Sequence, residues 1–142
     1  GRVYRFFNDE SAQSQTVKDV RRLLAADMKT FATEDLLNLI AHPDRRVRQA
    51  AQFSLAQRGA VSELIAKAVQ VDAPQLARWH SIWALGQIAR RTQYTDDLKP
   101  VLQQLVNDSD TEIAVAALNV LSEARDTALG PTVNAAIGSN RP

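Results

Sequence analysis

The chain has 142 residues, 45% of them hydrophobic, which is one domain's worth of sequence with ample material for a core. Seventeen basic against sixteen acidic residues leave a formal net charge of +1, too little to point to nucleic acid or an anionic membrane as the main partner. Cysteine is absent, which excludes disulfides, thiol nucleophiles, cysteine-ligated zinc and covalently attached c-type haem within these residues, and no run of eighteen apolar residues is present to span a bilayer.

The chain opens with Gly1-Arg2-Val3-Tyr4-Arg5-Phe6-Phe7, rich in β-type residues, followed by a polar stretch over 8–15. Together these predict a short extended arm over residues 1–15, distinct from the helical remainder at 16–142. Thr16 is expected to cap a helix running to about Asp27, with Val17, Val20 and Leu24 at spacings of three and four. Residues 29–32 form a connection. Thr33 then caps a short helix, with Glu34 and Asp35 in the first turn, where the helix dipole favours negative charge.

His42-Pro43-Asp44 turns the chain into a longer helix, which Gly59 ends as a left-handed cap. A second unit covers roughly residues 60–91, with Pro74 at the start of its longer helix. A third begins near Thr95, again followed by two acids, Asp96 and Asp97, and its longer helix runs from Asp110 to about Arg125. Residues 130–137 read as the first helix of a further unit, with Pro131 near its start. With the Gly1-Arg2 beginning, this leads us to expect a fragment of a longer protein.

The three units share a pattern. Asp44-Arg45-Arg46-Val47-Arg48-Gln49-Ala50-Ala51 corresponds to Pro74-Gln75-Leu76-Ala77-Arg78-Trp79-His80-Ser81, and to Asp110-Thr111-Glu112-Ile113-Ala114-Val115-Ala116-Ala117, at offsets of 30 and 36 residues. Each segment follows a shorter apolar run, at 36–41, 64–69 and 98–106. A unit of short helix, turn and longer helix cannot bury its apolar stripe alone, so copies must stack. The expected fold is all-α: a right-handed α-solenoid of three helix pairs with a truncated fourth. Val47, Ala51, Leu55, Leu85, Ile113, Ala117 and Leu121 are its expected core, and small residues along the stripe let neighbouring helices approach closely.

The middle unit departs from the pattern. Leu76, Trp79 and Trp83 form a second apolar strip on one helix, where the equivalents of Trp79 are Gln49 and Val115 and those of Trp83 are Phe53 and Asn119. Tryptophan is favoured at binding hot spots, so this strip is the candidate protein-binding site; packing against adjacent units is the competing role. His80 lies on the shared stripe where Ala50 and Ala116 stand in the other units, and is expected to be a hydrogen-bonded core residue. The arginine clusters at 21–22, 45–48 and 90–91 lie near Asp44, Asp72, Asp108 and Asp110. Solvated surface, or Asp–Arg pairs between stacked units, accounts for them better than a phosphate-binding groove. No glycine-rich phosphate loop, nucleophile elbow or His–Glu–His metal spacing occurs, so no catalytic, cofactor or metal residue is assigned.

The repeat resembles the HEAT family. A helix-breaking turn, Asp44, Val47 and Arg48, the Ala50-Ala51 pair and Leu55 follow that family's second-helix pattern; the second unit keeps Arg78 but has Pro74 for the Asp, and the third has Ala114 for the Arg. A narrower resemblance rests on the succession of residues 1–6, Thr33-Glu34-Asp35-Leu36, His42-Pro43-Asp44 and Ala77-Arg78-Trp79-His80-Ser81-Ile82-Trp83-Ala84-Leu85. It is similar to the middle region of large planctomycete-type proteins known as membrane-bound dehydrogenase or haem-binding domain proteins, in which a β-propeller is followed by HEAT repeats and a cytochrome c domain.

The resemblance implies that residues 1–7 are the last strand of a propeller or the exit from it and that 33–142 are the HEAT linker, a non-catalytic scaffold making domain–domain or protein–protein contacts. It also implies an extracytoplasmic, periplasmic location, with any haem c held elsewhere in the parent protein. The competing function is a nucleic-acid-binding solenoid of the repair-glycosylase type, which requires a basic concave face. An uncovered arm or the Leu76, Trp79 and Trp83 strip is expected to give weak self-association.

Overall fold

A computed structural model describes residues 8–92 and 98–123, and within these the chain is helical throughout, with no strand among the described residues. A single turn of helix, α1 (Asp9–Ala12), precedes α2 (Gln15–Ala25), and a 3₁₀ turn at Met28–Thr30 leads to α3 (Thr33–Leu39). There follow α4 (Arg45–Arg58), α5 (Val61–Val69), α6 (Gln75–Thr92), α7 (Leu98–Leu105) and α8 (Thr111–Glu123). Residues 1–7 of the expected arm, the Thr95-Asp96-Asp97 entry to the third unit and the truncated fourth unit lie outside the described residues.

Local chemistry explains most helix boundaries. Asp44 caps α4 by accepting from the backbone N–H of Arg46, and Gly59 closes that helix at φ +69°, a left-handed conformation that favours glycine. Pro74 stands immediately before α6, and its carbonyl accepts from the N–H groups of Ala77 and Arg78. Asp110 caps α8 by accepting from Glu112 and Ile113.

Three expectations are corrected. Residues 9–12 are helical rather than part of an extended arm. The cap of α2 is Ser14, whose hydroxyl accepts from Val17, rather than Thr16. The cap position of α3 is Ala32, with no side-chain cap, and the Thr33 hydroxyl accepts from Arg58 of the next helix. That Arg58 guanidinium also donates to the carbonyls of Met28, Lys29 and Phe31, at 3.2, 2.9 and 2.6 Å, and so pins the 3₁₀ turn to α4.

Each short helix packs on the longer one that follows it, α3 on α4, α5 on α6 and α7 on α8, while α4, α6 and α8 pack side by side in that order. Their contacts fix the direction. Gln52 meets His80 while Ala56 meets Arg91, and Gly86 meets Val120 while Arg90 meets Glu123, so the three long helices run parallel. One continuous core joins them, and Val47, Ala51, Leu55, Leu85, Ile113, Ala117 and Leu121 are all buried, as the repeat pattern predicts. Helix α6 has neighbours on three sides, α4, α5 and α8, which is why polar residues of that helix (Arg78, His80 and Ser81) are buried with its apolar ones.

Helices α6 and α8 approach closely at Gly86. A Cβ placed on Gly86 would meet the two Val120 methyl carbons at 2.9 and 3.2 Å, and Val120 is β-branched and stiff. Gly86→Ala is therefore expected to destabilise by about 1–2 kcal/mol net, overpacking outweighing the gain of about 1 kcal/mol in helix propensity. Urea unfolding checks this, and a stabilised Gly86→Ala protein would refute the close approach. In the double variant with Val120→Ala the two costs should combine to less than their sum.

Candidate functional site

The middle of α6 carries the polar chemistry of the molecule, and two arginines at equivalent positions organise it. Arg78 is buried; its Nε donates to the Ala68 carbonyl at 2.9 Å, and its two terminal nitrogens meet both oxygens of Asp108, at 3.3 and 2.5 Å. One guanidinium thus holds the end of α5 within its own unit and the turn before α8 in the next. Asp108 in turn accepts from the Asp110 N–H at 2.9 Å. This is an Asp–Arg pair between neighbouring units, of the kind the sequence suggests.

Arg48, thirty residues earlier, does the corresponding work with a different partner. One terminal nitrogen donates to the carbonyls of His42 and Pro43, at 2.7 and 2.8 Å, tying down its own turn. Its Nε reaches the next unit at His80, donating to Nε2 at 3.0 Å. A nitrogen that accepts must carry a lone pair, so the proton sits on Nδ1, which donates to Oε1 of Gln52 at 2.7 Å. The imidazole is 4% exposed, and its pKa is pushed down to about 4, first by burial and then by the charges of Arg48 and Arg45. Geometry and charge agree on a neutral ring. Asp72, the residue that would continue an Asp–Arg ladder, stays exposed.

Above this network lies an aromatic surface. The ring of Trp83 meets His80 edge-on, with centroids 5.2 Å apart at 82°, and stacks on Trp79 at 4.8 Å and 36°. The three residues of the sequence-predicted strip have different fates. Trp79 is half-buried and packs against the core, Leu76 is half-buried, and Trp83 is 37% exposed. Trp83 opens onto a cleft of about 560 Å³ that crosses α4, α6 and α8; Trp79 and Leu76 do not line it.

From α4 the cleft receives Arg45, Gln49, Gln52 and Phe53; from α6 it receives His80, Trp83, Gln87 and Arg90. Helix α8 contributes Asn119, Ser122 and Glu123 along its far edge. Phe53 is 48% exposed, so two large rings stand open on this face. The sequence held a signal for the set. Phe53, Trp83 and Asn119 occupy one repeat position, and Gln87 and Glu123 occupy the position one turn later, so residues far apart in the chain share a face. The predicted strip followed one helix and missed this direction across helices.

Charge on the cleft is unevenly satisfied. Arg90 pairs with Glu123 at one end. Arg45, at the start of α4, is exposed and has no acidic partner within ion-pair reach among the described residues. Two other members of the basic clusters are engaged: Arg46 pairs with Asp44 at 2.7 Å, which holds the Asp44 carboxyl down to about 2, and Arg91 donates to the Ala56 carbonyl. Among the described residues no three His, Asp or Glu side chains converge to hold a metal ion, and no helix is long and apolar enough to cross a membrane. Comparison of the chain with protein-family models, with curated proteins and with solved structures gives no match.

Proposed function

We propose that the chain is a HEAT-like right-handed α-solenoid of three helix pairs, serving as a non-catalytic scaffold or inter-domain linker that makes protein contacts through the face of α4, α6 and α8. The observation that carries this reading is the cleft itself, where two aromatic rings, Trp83 and Phe53, are held open to solvent at one repeat position on neighbouring helices. Open aromatic rings rimmed by polar groups are the usual anatomy of a protein contact. The parallel row of long helices, each backed by its own short helix, supports the solenoid.

A catalytic role finds little support on this face. Both nitrogens of the His80 imidazole are engaged, one by Arg48 and one by Gln52, so the ring has no free lone pair to offer a substrate. Nucleic acid is disfavoured because Glu123 neutralises Arg90 and sets a carboxylate where phosphates would lie. By the resemblance stated above, the parent is a larger extracytoplasmic redox protein whose haem and substrate sites belong to other domains.

Two measurements test the reading. Trp83→Ala and Phe53→Ala should each leave a folded monomer, costing no more than about 1–2 kcal/mol against the 3–5 of a buried ring, and should weaken any self-association seen by sedimentation. Unfolding of either variant would show the rings to be core. A labelled DNA oligonucleotide of about 20 residues should not bind at roughly 150 mM salt. Submicromolar binding that falls steeply with added salt would replace the protein-contact reading.

A further inference from the structure

Resting on the protein-contact reading, we infer that the cleft across α4, α6 and α8 takes a short extended polypeptide segment that carries an acidic residue and an apolar or aromatic one. Three features of the cleft fit together. The first is its length. Neighbouring packed helices lie about 8–10 Å apart, so a path from α4 across α6 to α8 covers roughly 16–20 Å, the span of five or six extended residues.

The second feature is the wall chemistry. Gln49, Gln87 and Asn119 make no side-chain hydrogen bond among the described residues, and the Gln52 amide nitrogen likewise has no partner there beyond the contact its oxygen makes with His80. A primary amide has both a donor and an acceptor, the complement of a peptide group. Three helices thus present such amides to one path. An extended backbone leaves its N–H and C=O groups unpaired and can use them; a helix has already satisfied its own and would need an apolar stripe that this cleft does not provide.

The third feature is charge. Arg45 has no acidic partner among the described residues at one end and the Arg90–Glu123 pair closes the other, so the described lining of the cleft has one net positive charge, placed off-centre. An incoming carboxylate pairs with Arg45, while its apolar or aromatic neighbour lies on Trp83 and Phe53. A basic segment would meet Arg45 with like charge, and Arg90 is already neutralised. The asymmetry also fixes the orientation of the segment.

A display library of random peptides of about 12 residues, selected on the full chain, tests this. Enriched peptides should share Asp or Glu within an extended stretch of five or six residues that includes an apolar or aromatic side chain. A synthetic copy should change the tryptophan emission, since one of the chain's two tryptophans, Trp83, lines the cleft and the other, Trp79, is in ring contact with it. Trp83→Ala should weaken binding about tenfold or more. Arg45→Gln should weaken it several-fold and remove most of its salt dependence, whereas Arg46→Gln, on a residue already paired with Asp44 outside the cleft, should leave it unchanged.

Enrichment of basic peptides, or of amphipathic helical ones, would overturn the inference and leave the protein-contact reading standing. So would failure to enrich any peptide, or binding indifferent to both Trp83→Ala and Arg45→Gln. Salt-sensitive oligonucleotide binding would remove the inference and the broader reading together.

Discussion

Replacing Asp108 by Ala should lower the stability of the fold by about 3–5 kcal/mol, the largest single effect we expect from a polar substitution. The cause is the partner left behind. Arg78 is 3% exposed, and without Asp108 its guanidinium keeps only the Ala68 carbonyl, so a full positive charge is left buried and nearly uncompensated. The Asp110 N–H loses its acceptor as well, loosening the entry to α8. Asp108→Asn should cost less, because an amide oxygen still accepts from Arg78. The double variant Arg78→Met with Asp108→Leu should recover much of the loss, since a desolvated ion pair gains little net over a packed apolar pair. Urea unfolding of the four proteins decides it. Equal, small costs for Asp108→Ala and Asp108→Asn would show that the pair is dispensable.

The second large effect is on pH. An unfolded His80 has an ordinary pKa of 6.5, while in the fold the ring is held to about 4. Between those values the unfolded chain binds a proton that the native state refuses, so stability must fall as pH falls through 6.5 toward 4, with no further contribution from this group below that. At about 1.4 kcal/mol for each tenfold change in proton affinity the full loss is about 3.5 kcal/mol, and solvent screening from the cleft brings it to about 2–3. Protonation also puts a donor on Nε2, facing the Arg48 Nε that now donates to it. Asp44, held down to about 2 by Arg46, titrates below this window. His80→Ala should flatten the stability profile between pH 4 and 6.5 relative to the native chain. Parallel profiles for the two proteins would refute the neutral buried ring.

How much of this was legible beforehand differs by element. The core stripe was plain in the sequence because Val47, Ala51 and Leu55 recur at equivalent positions as apolar or small residues, and burial follows periodicity. Gly59 was legible because a left-handed cap depends only on neighbours in the chain, and His42-Pro43-Asp44 was legible as a turn for the same reason, although the capping role of Asp44 was not read from it. The caps of α2 and α3 were misplaced for a related reason. Several hydroxyl residues compete near each start, and Ala32 takes the cap position of α3 in extended backbone with no side-chain cap, while the Thr33 hydroxyl meets a remote side chain, Arg58.

The site was only half visible. The two tryptophans marked the right helix, but their spacing along α6 could not say which one the neighbouring helices would cover. That depends on how α4 and α8 flank α6, which leaves Trp83 open and Trp79 partly covered. The same holds for His80. Its place on the stripe was evident, yet its tautomer and lowered pKa come from Arg48 and Gln52, 32 and 28 residues away. The sequence by itself determined the longer helices, the Gly59 end of α4 and the stripe they bury, because those follow from backbone preferences and periodic burial. The tertiary structure alone decided which aromatic ring stays open, which arginine meets a carboxylate and which an imidazole, and that Arg45 on the cleft finds no acidic partner among the described residues, because each of these depends on distances between helices that no local pattern encodes.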